Sequence, residues 1–171
     1  MEKGKIIFLN GVTSAGKTSV TRAMQNRDDL FFYAMSNDLF QDMVGVRYLR
    51  KNYWKHLGNV LFEMYHTAKL FSDRGHHVIL DGVLSEHPEI PDHYRRMREI
   101  FADSPFYMVY LDCPLELCRQ RNLARGDRGE YQSHEQAKMM PADAVYALTL
   151  DTSRLSSEEC AEVIVKTIFG I

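Results

Sequence analysis

Five short apolar runs punctuate the chain: KIIFLN (residues 5–10), LFFYAM (30–35), HVIL (77–80), FYMVYL (106–111) and YALTL (146–150). Apolar residues are continuous within each run rather than alternating, the pattern of strands covered on both faces. The stretches between them carry a different period. From Leu57 to Asp73, positions Leu57, Val60, Leu61, Met64, Ala68 and Phe71 recur every three or four residues and draw one apolar stripe, which predicts a helix with Gly75 as its C-terminal cap. Pro91 to Ala102, with proline in the first turn, and Pro114 to Arg125 predict two more helices. Ser156 and Glu159 are spaced for a capping box ahead of a last helix carrying Val163, Ile164 and Phe169. Strands alternating with helices predict the α/β class, with a parallel sheet covered on both faces. Without repeats or proline-rich linkers, the 171 residues read as a single domain, 1–171.

Composition narrows the picture a little. A hydrophobic share of 45% and a net charge of −2 are ordinary for a globular protein and provide no bulk attraction to nucleic acid or anionic lipid. Cys113, Cys118 and Cys160 are odd in number and lack metal-ligand spacing, so no disulfide framework is expected. Met1 to Lys5 lead into the first strand without a secretory apolar segment, and no run approaches a membrane span; a cytoplasmic location is the expectation. His76, His77, His87 and His93 match no zinc pattern.

One stretch changes the reading. LNGVTSAGKTSV (9–20) sets the pattern Gly-x-x-x-x-Gly-Lys-Thr between a strand and a helix, the setting in which a Walker A loop works. Gly11, Val12, Thr13, Ser14, Ala15, Gly16, Lys17, Thr18 and Ser19 are the expected cofactor-binding residues. Loop amides and the helix end cradle phosphates, Lys17 reaches the β- and γ-phosphates, and Thr18 offers a hydroxyl to Mg²⁺. An outer carboxylate for that ion comes from Asp81, which follows HVIL, or Asp112, which follows FYMVYL. Asp81 is favoured because Gly82 leaves room for substrate, whereas Asp112 leads into Pro114 and reads as a cap or turn residue.

The chain contains no Asn/Thr-Lys-x-Asp tetrad, which disfavours a guanine-nucleotide switch, and it is short for a motor ATPase. A small-molecule or nucleotide kinase fits better, and the strand order common among such kinases is 2-3-1-4-5. CRQRNLARGDRGEYQ supplies an arginine lid, residues 121–140: Arg121 is expected toward the adenine face, with Arg125 and Arg128 toward the phosphates. Asp38, at the end of the second strand, is the expected catalytic carboxylate that orients the acceptor; capping the following helix is its competing use, with Asn37 and Ser36 as alternative caps.

FLNG with SAGKT, the Asp38 segment, the strand ending at Asp81, ARGDR (124–128) and LDTSRLSSEECAEVI (150–164) together resemble the chloramphenicol phosphotransferase family of small P-loop kinases. The resemblance implies ATP-dependent phosphorylation of a hydroxyl on a small molecule, with Asp38 as catalytic aspartate and Lys17 and Thr18 as phosphate and magnesium residues. Two departures stand out. Gly82 occupies a place where the family has a second acidic residue, and the stretch between Met43 and Leu57 differs in length and character. That stretch, part of an acceptor segment at 38–57, mixes Arg47, Arg50, Lys51 and Lys55 with Tyr48, Tyr53 and Trp54. It reads as an acceptor-site lid whose aromatic faces hold a flat or sugar-like acceptor and whose cations attract an anionic one. Two other uses of the same loop stay open: a kinase acting on nucleic acid or a sugar nucleotide, and an ATP-binding regulator without catalysis.

Overall fold

The computed structural model describes residues 2–171. In chain order the elements are β1 (Ile6–Asn10), α1 (Lys17–Gln25), β2 (Phe32–Ser36), α2 (Asn37–Asp42), α3 (Val46–Lys51), α4 (Tyr53–Asp73), β3 (His77–Gly82), α5 (His93–Ile100), β4 (Phe106–Asp112), α6 (Leu115–Arg125), α7 (Gln132–Met139), β5 (Leu148–Asp151) and α8 (Ser157–Phe169). The strands form one sheet in the order β2-β3-β1-β4-β5, with every pairing parallel. This is the predicted α/β architecture and strand order.

Every residue of β1 is buried, because its side chains alternate between two cores. Ile6 and Phe8 enter one with Leu61, Met64, Tyr65 and Ala68 of α4 and Met97 of α5. Ile7 and Leu9 enter the other with Val20 and Met24 of α1 and Ile164 and Val165 of α8. Each such large apolar side chain contributes about 1.5–3 kcal/mol when fully buried, so the sheet is held from both faces at once. A third, smaller cluster packs Val12 and Ala15 of the loop after β1 onto Cys113 and Cys118.

Local signals set most helix ends. Ser156 and Glu159 form the predicted capping box, and Gly75 takes a φ of 83° just beyond α4. α4 starts four residues before the apolar stripe, at Tyr53, because the Asn52 side chain accepts from the Lys55 amide (3.3 Å). Pro91 lies outside α5 rather than in its first turn, since Asp92 adopts a φ of 55° and ends the preceding turn. β5 begins at Leu148, two residues later than its apolar run. Tyr146 leaves the ladder and its hydroxyl accepts from the Asn10 side-chain amide at 2.7 Å.

A buried polar relay ties the helices to the loop after β3. Tyr65 and His93 are both fully buried, with Tyr65 Oη 2.8 Å from His93 Nε2 and His93 Nδ1 2.8 Å from the Ser85 carbonyl. A carbonyl can only accept, so Nδ1 carries the proton, Nε2 is the acceptor and the tyrosine donates. Burial holds the imidazole below its ordinary pKa, so it stays neutral in the fold. Tyr65→Phe should therefore lower the unfolding free energy by about 1–3 kcal/mol in urea titrations, the cost of a buried acceptor left without its donor. Because His93 takes up its proton freely only on unfolding, its contribution is lost as pH falls below about 6.5. The drop in stability between pH 7 and 5 should be smaller in His93→Gln than in the wild-type protein.

Candidate active site

The loop after β1 is held by contacts from several parts of the chain. Asn10, fully buried, accepts from the Leu84 amide (2.9 Å) and donates to Tyr146, so the strand end is tied to both sides of the sheet. The chain then turns through Ser14 at φ 61° and Gly16 at φ 97°, both left-handed. Glycine takes that conformation freely, whereas for serine it costs on the order of 1–3 kcal/mol. Four side chains from elsewhere grip the loop. Arg121 donates to the Ser14 carbonyl (3.1 Å), Asn122 accepts from the Ser14 hydroxyl (2.7 Å), Gln136 accepts from the Thr13 amide (2.6 Å) and Thr152 donates to the Ala15 carbonyl (2.8 Å). Lys17 folds back over the loop, its Nζ donating to the carbonyls of Gly11 (2.8 Å) and Val12 (2.9 Å). Burial pulls this ammonium below its ordinary pKa, and the nearby Asp81 and Asp38 carboxylates oppose that shift.

The register of the sheet decides which carboxylates face the loop. β3 lies beside β1, aligning Asp81 with Leu9, and the Thr18 hydroxyl donates to Asp81 Oδ2 at 2.8 Å. Asp112 lies on the other side of β1, paired with Asp151; its carbonyl accepts from Thr152, and its side chain is outside the cleft beside the loop. Thr18 and Asp81 thus present a hydroxyl and a carboxylate side by side at the head of α1, the hard oxygen donors that Mg²⁺ takes while keeping several waters.

Asp38 comes from the other neighbour of β3. It stands in the first turn of α2, but Ser36 is the cap: its hydroxyl accepts from the Leu39 amide (3.1 Å). The Asp38 carboxylate is thereby left to the cleft, where it accepts from Arg128 Nη2 at 2.7 Å, and that pairing holds the guanidinium firmly charged. Arg125 turns to Asp127 (3.0 Å) at the rim of the same cleft. Gly82 is part of the cleft lining. A Cβ there would fall 2.8 Å from Asn37 Oδ1 and 3.0 Å from Phe8, so the glycine admits its own neighbours.

These residues line one cleft of about 1030 Å³. α1 and α6 contribute Lys17, Thr18, Arg22 and Arg121, the segment after β5 contributes Thr152, and α2, α4 and the segment after β3 contribute Asp38, Gln41, Tyr53, Trp54, Leu57, Val83 and Ser85, with Asp81 from β3 and Arg128 from the turn after α6. Trp54 is stacked on His87, ring centroids 4.1 Å apart and planes 13° from parallel. The cations of the same segment behave differently from the expectation: Arg47, Arg50, Lys51 and Lys55 are exposed and outside the lining. Polar residues that simple motif reading passes over take part instead. Gln136 and Asn122 carried no signal of their own, whereas Thr152 falls in the LDTS stretch that contributes to the family resemblance.

Known proteins resemble this chain in sequence and in fold. A Mycobacterium tuberculosis (strain H37Rv) protein whose name proposes an O-phosphotransferase is 28% identical over 94% of this chain and 80% of its own. The adenylyl-sulfate kinase of Clostridium acetobutylicum is 23% identical over 96% of this chain and 83% of its own. Among solved structures, the M. tuberculosis APS kinase in complex with AMPPNP and APS superposes with a TM-score of 0.71 at 20% identity, covering 99% of both chains. Shikimate kinase from Acinetobacter baumannii in complex with shikimate gives 0.65 at 20% identity, covering 99% of this chain and 95% of that one. The fold is that of the P-loop kinases. No helix here is long and apolar enough to cross a membrane, among the described residues. The description "Chloramphenicol phosphotransferase-like protein" matches residues 4–168, nearly the whole length, and the chain belongs to that family.

Proposed function

We propose that the protein transfers the γ-phosphoryl group of ATP to a hydroxyl of an uncharged small molecule, with Asp38 orienting the acceptor. The observation that carries this reading is the common cleft: the glycine-lysine loop, the Thr18–Asp81 pair and the Asp38 carboxylate open onto one space, with Arg128 reaching between them. In this scheme the amides of residues 11–19 and the Lys17 ammonium, released from the Gly11 and Val12 carbonyls, hold the phosphates. Thr18 and Asp81 hold the Mg²⁺ that accompanies ATP, which neutralises charge on the transferring group. Arg121, placed between the carbonyls of Ser14 and Thr152, bounds the nucleobase end. Arg125 and Arg128 move onto phosphate oxygens as the lid closes, and Asp38, freed from its ion pair, accepts the hydroxyl hydrogen of the acceptor. Most of the rate enhancement comes from positioning.

The walls speak to the acceptor. Adenylyl sulfate and shikimate are anions, and an anionic acceptor calls for a cation beyond those needed by the phosphates. The lining contributed by Gln41 of α2, by α4 and by the segment after β3 is aromatic, aliphatic or neutral (Gln41, Tyr53, Trp54, Leu57, Val83 and Ser85), while the cations of the cleft come from α1 (Lys17, Arg22), α6 (Arg121, Arg125) and the turn after it (Arg128). This favours a ring-bearing neutral alcohol, an antibiotic or metabolite, with chloramphenicol one member of the class to test. The location remains the cytoplasm, where ATP is plentiful.

Two outcomes follow. Asp38→Asn should bind an ATP analogue with little change but slow transfer by about 10²- to 10⁴-fold; single-turnover transfer at the wild-type rate would remove Asp38 from the chemistry. In an ADP-release screen over antibiotics, nucleosides, sugars and acidic alcohols, with Lys17→Ala as blank, turnover should concentrate among neutral ring-bearing alcohols. Turnover confined to nucleotides or oligonucleotides would point to the polymer or sugar-nucleotide reading. Tight nucleotide binding with no turnover at all would point to a regulator.

A further inference from the structure

Ser14 and Asp92 are the two non-glycine residues with positive φ among those described, and Ser14 lies in the middle of the phosphate loop. Its neighbours explain how a serine stays there. Consecutive residues of α6 straddle it, Arg121 on its carbonyl at 3.1 Å and Asn122 on its hydroxyl at 2.7 Å. The orientation of the Asn122 amide follows from its other contacts. Its Nδ2 is 3.3 Å from the Glu130 carbonyl, which can only accept, and 3.4 Å from the buried Ser133 hydroxyl, so Oδ1 faces Ser14 and the Ser14 hydroxyl donates. Asn122 has no exposed surface. One buried amide therefore has its oxygen on the phosphate loop and its nitrogen on Glu130, just ahead of the lid helix α7, and on Ser133 in its first turn.

We infer that Asn122 is a positioning residue that locks Ser14 in its left-handed conformation and keys the start of the lid to the same point, so that the loop amides are pre-arranged for phosphate. The inference rests on the nucleotide-binding part of the proposed function, not on the identity of the acceptor. It also accounts for the residue type at position 14: serine supplies the hydroxyl through which the loop is held, which glycine would lack.

The test is a double-mutant cycle read by calorimetric titration with a non-hydrolysable ATP analogue and Mg²⁺, so that no acceptor is needed. Asn122→Ala should weaken binding by about three- to tenfold, the loss of one buried hydrogen bond expressed as affinity. Ser14→Ala, which keeps the strained backbone and removes the hydroxyl, should weaken it similarly and also covers the case in which Asn122→Ala does not fold. In a Ser14→Gly background, where the conformation needs no tether, Asn122→Ala should cost less than about twofold. Unchanged affinity in either alanine variant would overturn the inference. So would an Asn122→Ala penalty of the same size with glycine at position 14, since the residue would then act through general stability. A wild-type protein that fails to bind the analogue would instead bring down the site assignment itself.

Discussion

Parallel pairing of β1 with β3 on one side and β4 on the other is the constraint from which the site follows. Because the three strands run the same way, their carboxyl ends finish on one edge, and the register places Leu9 beside Asp81 and Asn10 beside Gly82. β2 adds Ser36 next to Asp81, so the first turn of α2 rises over the same edge and brings Asp38 with it. A shift of one residue in β3 would turn Asp81 to the opposite face and part it from Thr18. The buried strand core thus sets the chemistry at the edge, although none of its side chains takes part.

At that edge Lys17, the Thr13 amide and Asp38 have partners within the chain, whereas Arg128 Nε and Asn37 Oδ1 are buried without one. Lys17 bonds to its own loop, Gln136 caps the Thr13 amide and Arg128 rests on Asp38. Burying such groups without partners is costly, and these internal pairings offset that cost. Ligand binding is then an exchange of hydrogen bonds rather than a net gain of all of them. Discrimination comes from how well the incoming oxygens reproduce the geometry of the carbonyls and carboxylate they displace.

Much of this was readable in the residues, for identifiable reasons. Continuous apolar runs mark strands buried twice over, and the glycine-lysine spacing marks the loop, because both are local requirements. The choice between Asp81 and Asp112 was open in the sequence because each follows an apolar strand; only the register across β1 tells them apart. Ser36, Asn37 and Asp38 were equivalent as caps until backbone geometry gave that task to Ser36. Gln136 and Asn122 were hidden for another reason. Neutral amides have no characteristic spacing, and their partners Thr13 and Ser14 lie more than a hundred residues away. Within residues 47–55, Tyr53 and Trp54 meet the cleft while Arg47, Arg50, Lys51 and Lys55 stay exposed outside its lining, because charge alone says nothing about which side of a helix meets the cleft.

The stacked pair at the cleft wall has a practical side. Trp54 is the single tryptophan of the chain, and its ring lies flat against His87. Indole emission is sensitive to an adjacent imidazole and to the polarity of what touches it, so the protein carries its own optical reporter at the wall where an acceptor would dock. Any molecule that slides against that ring or separates it from the histidine changes the light it emits, and occupancy of that wall becomes visible without a label.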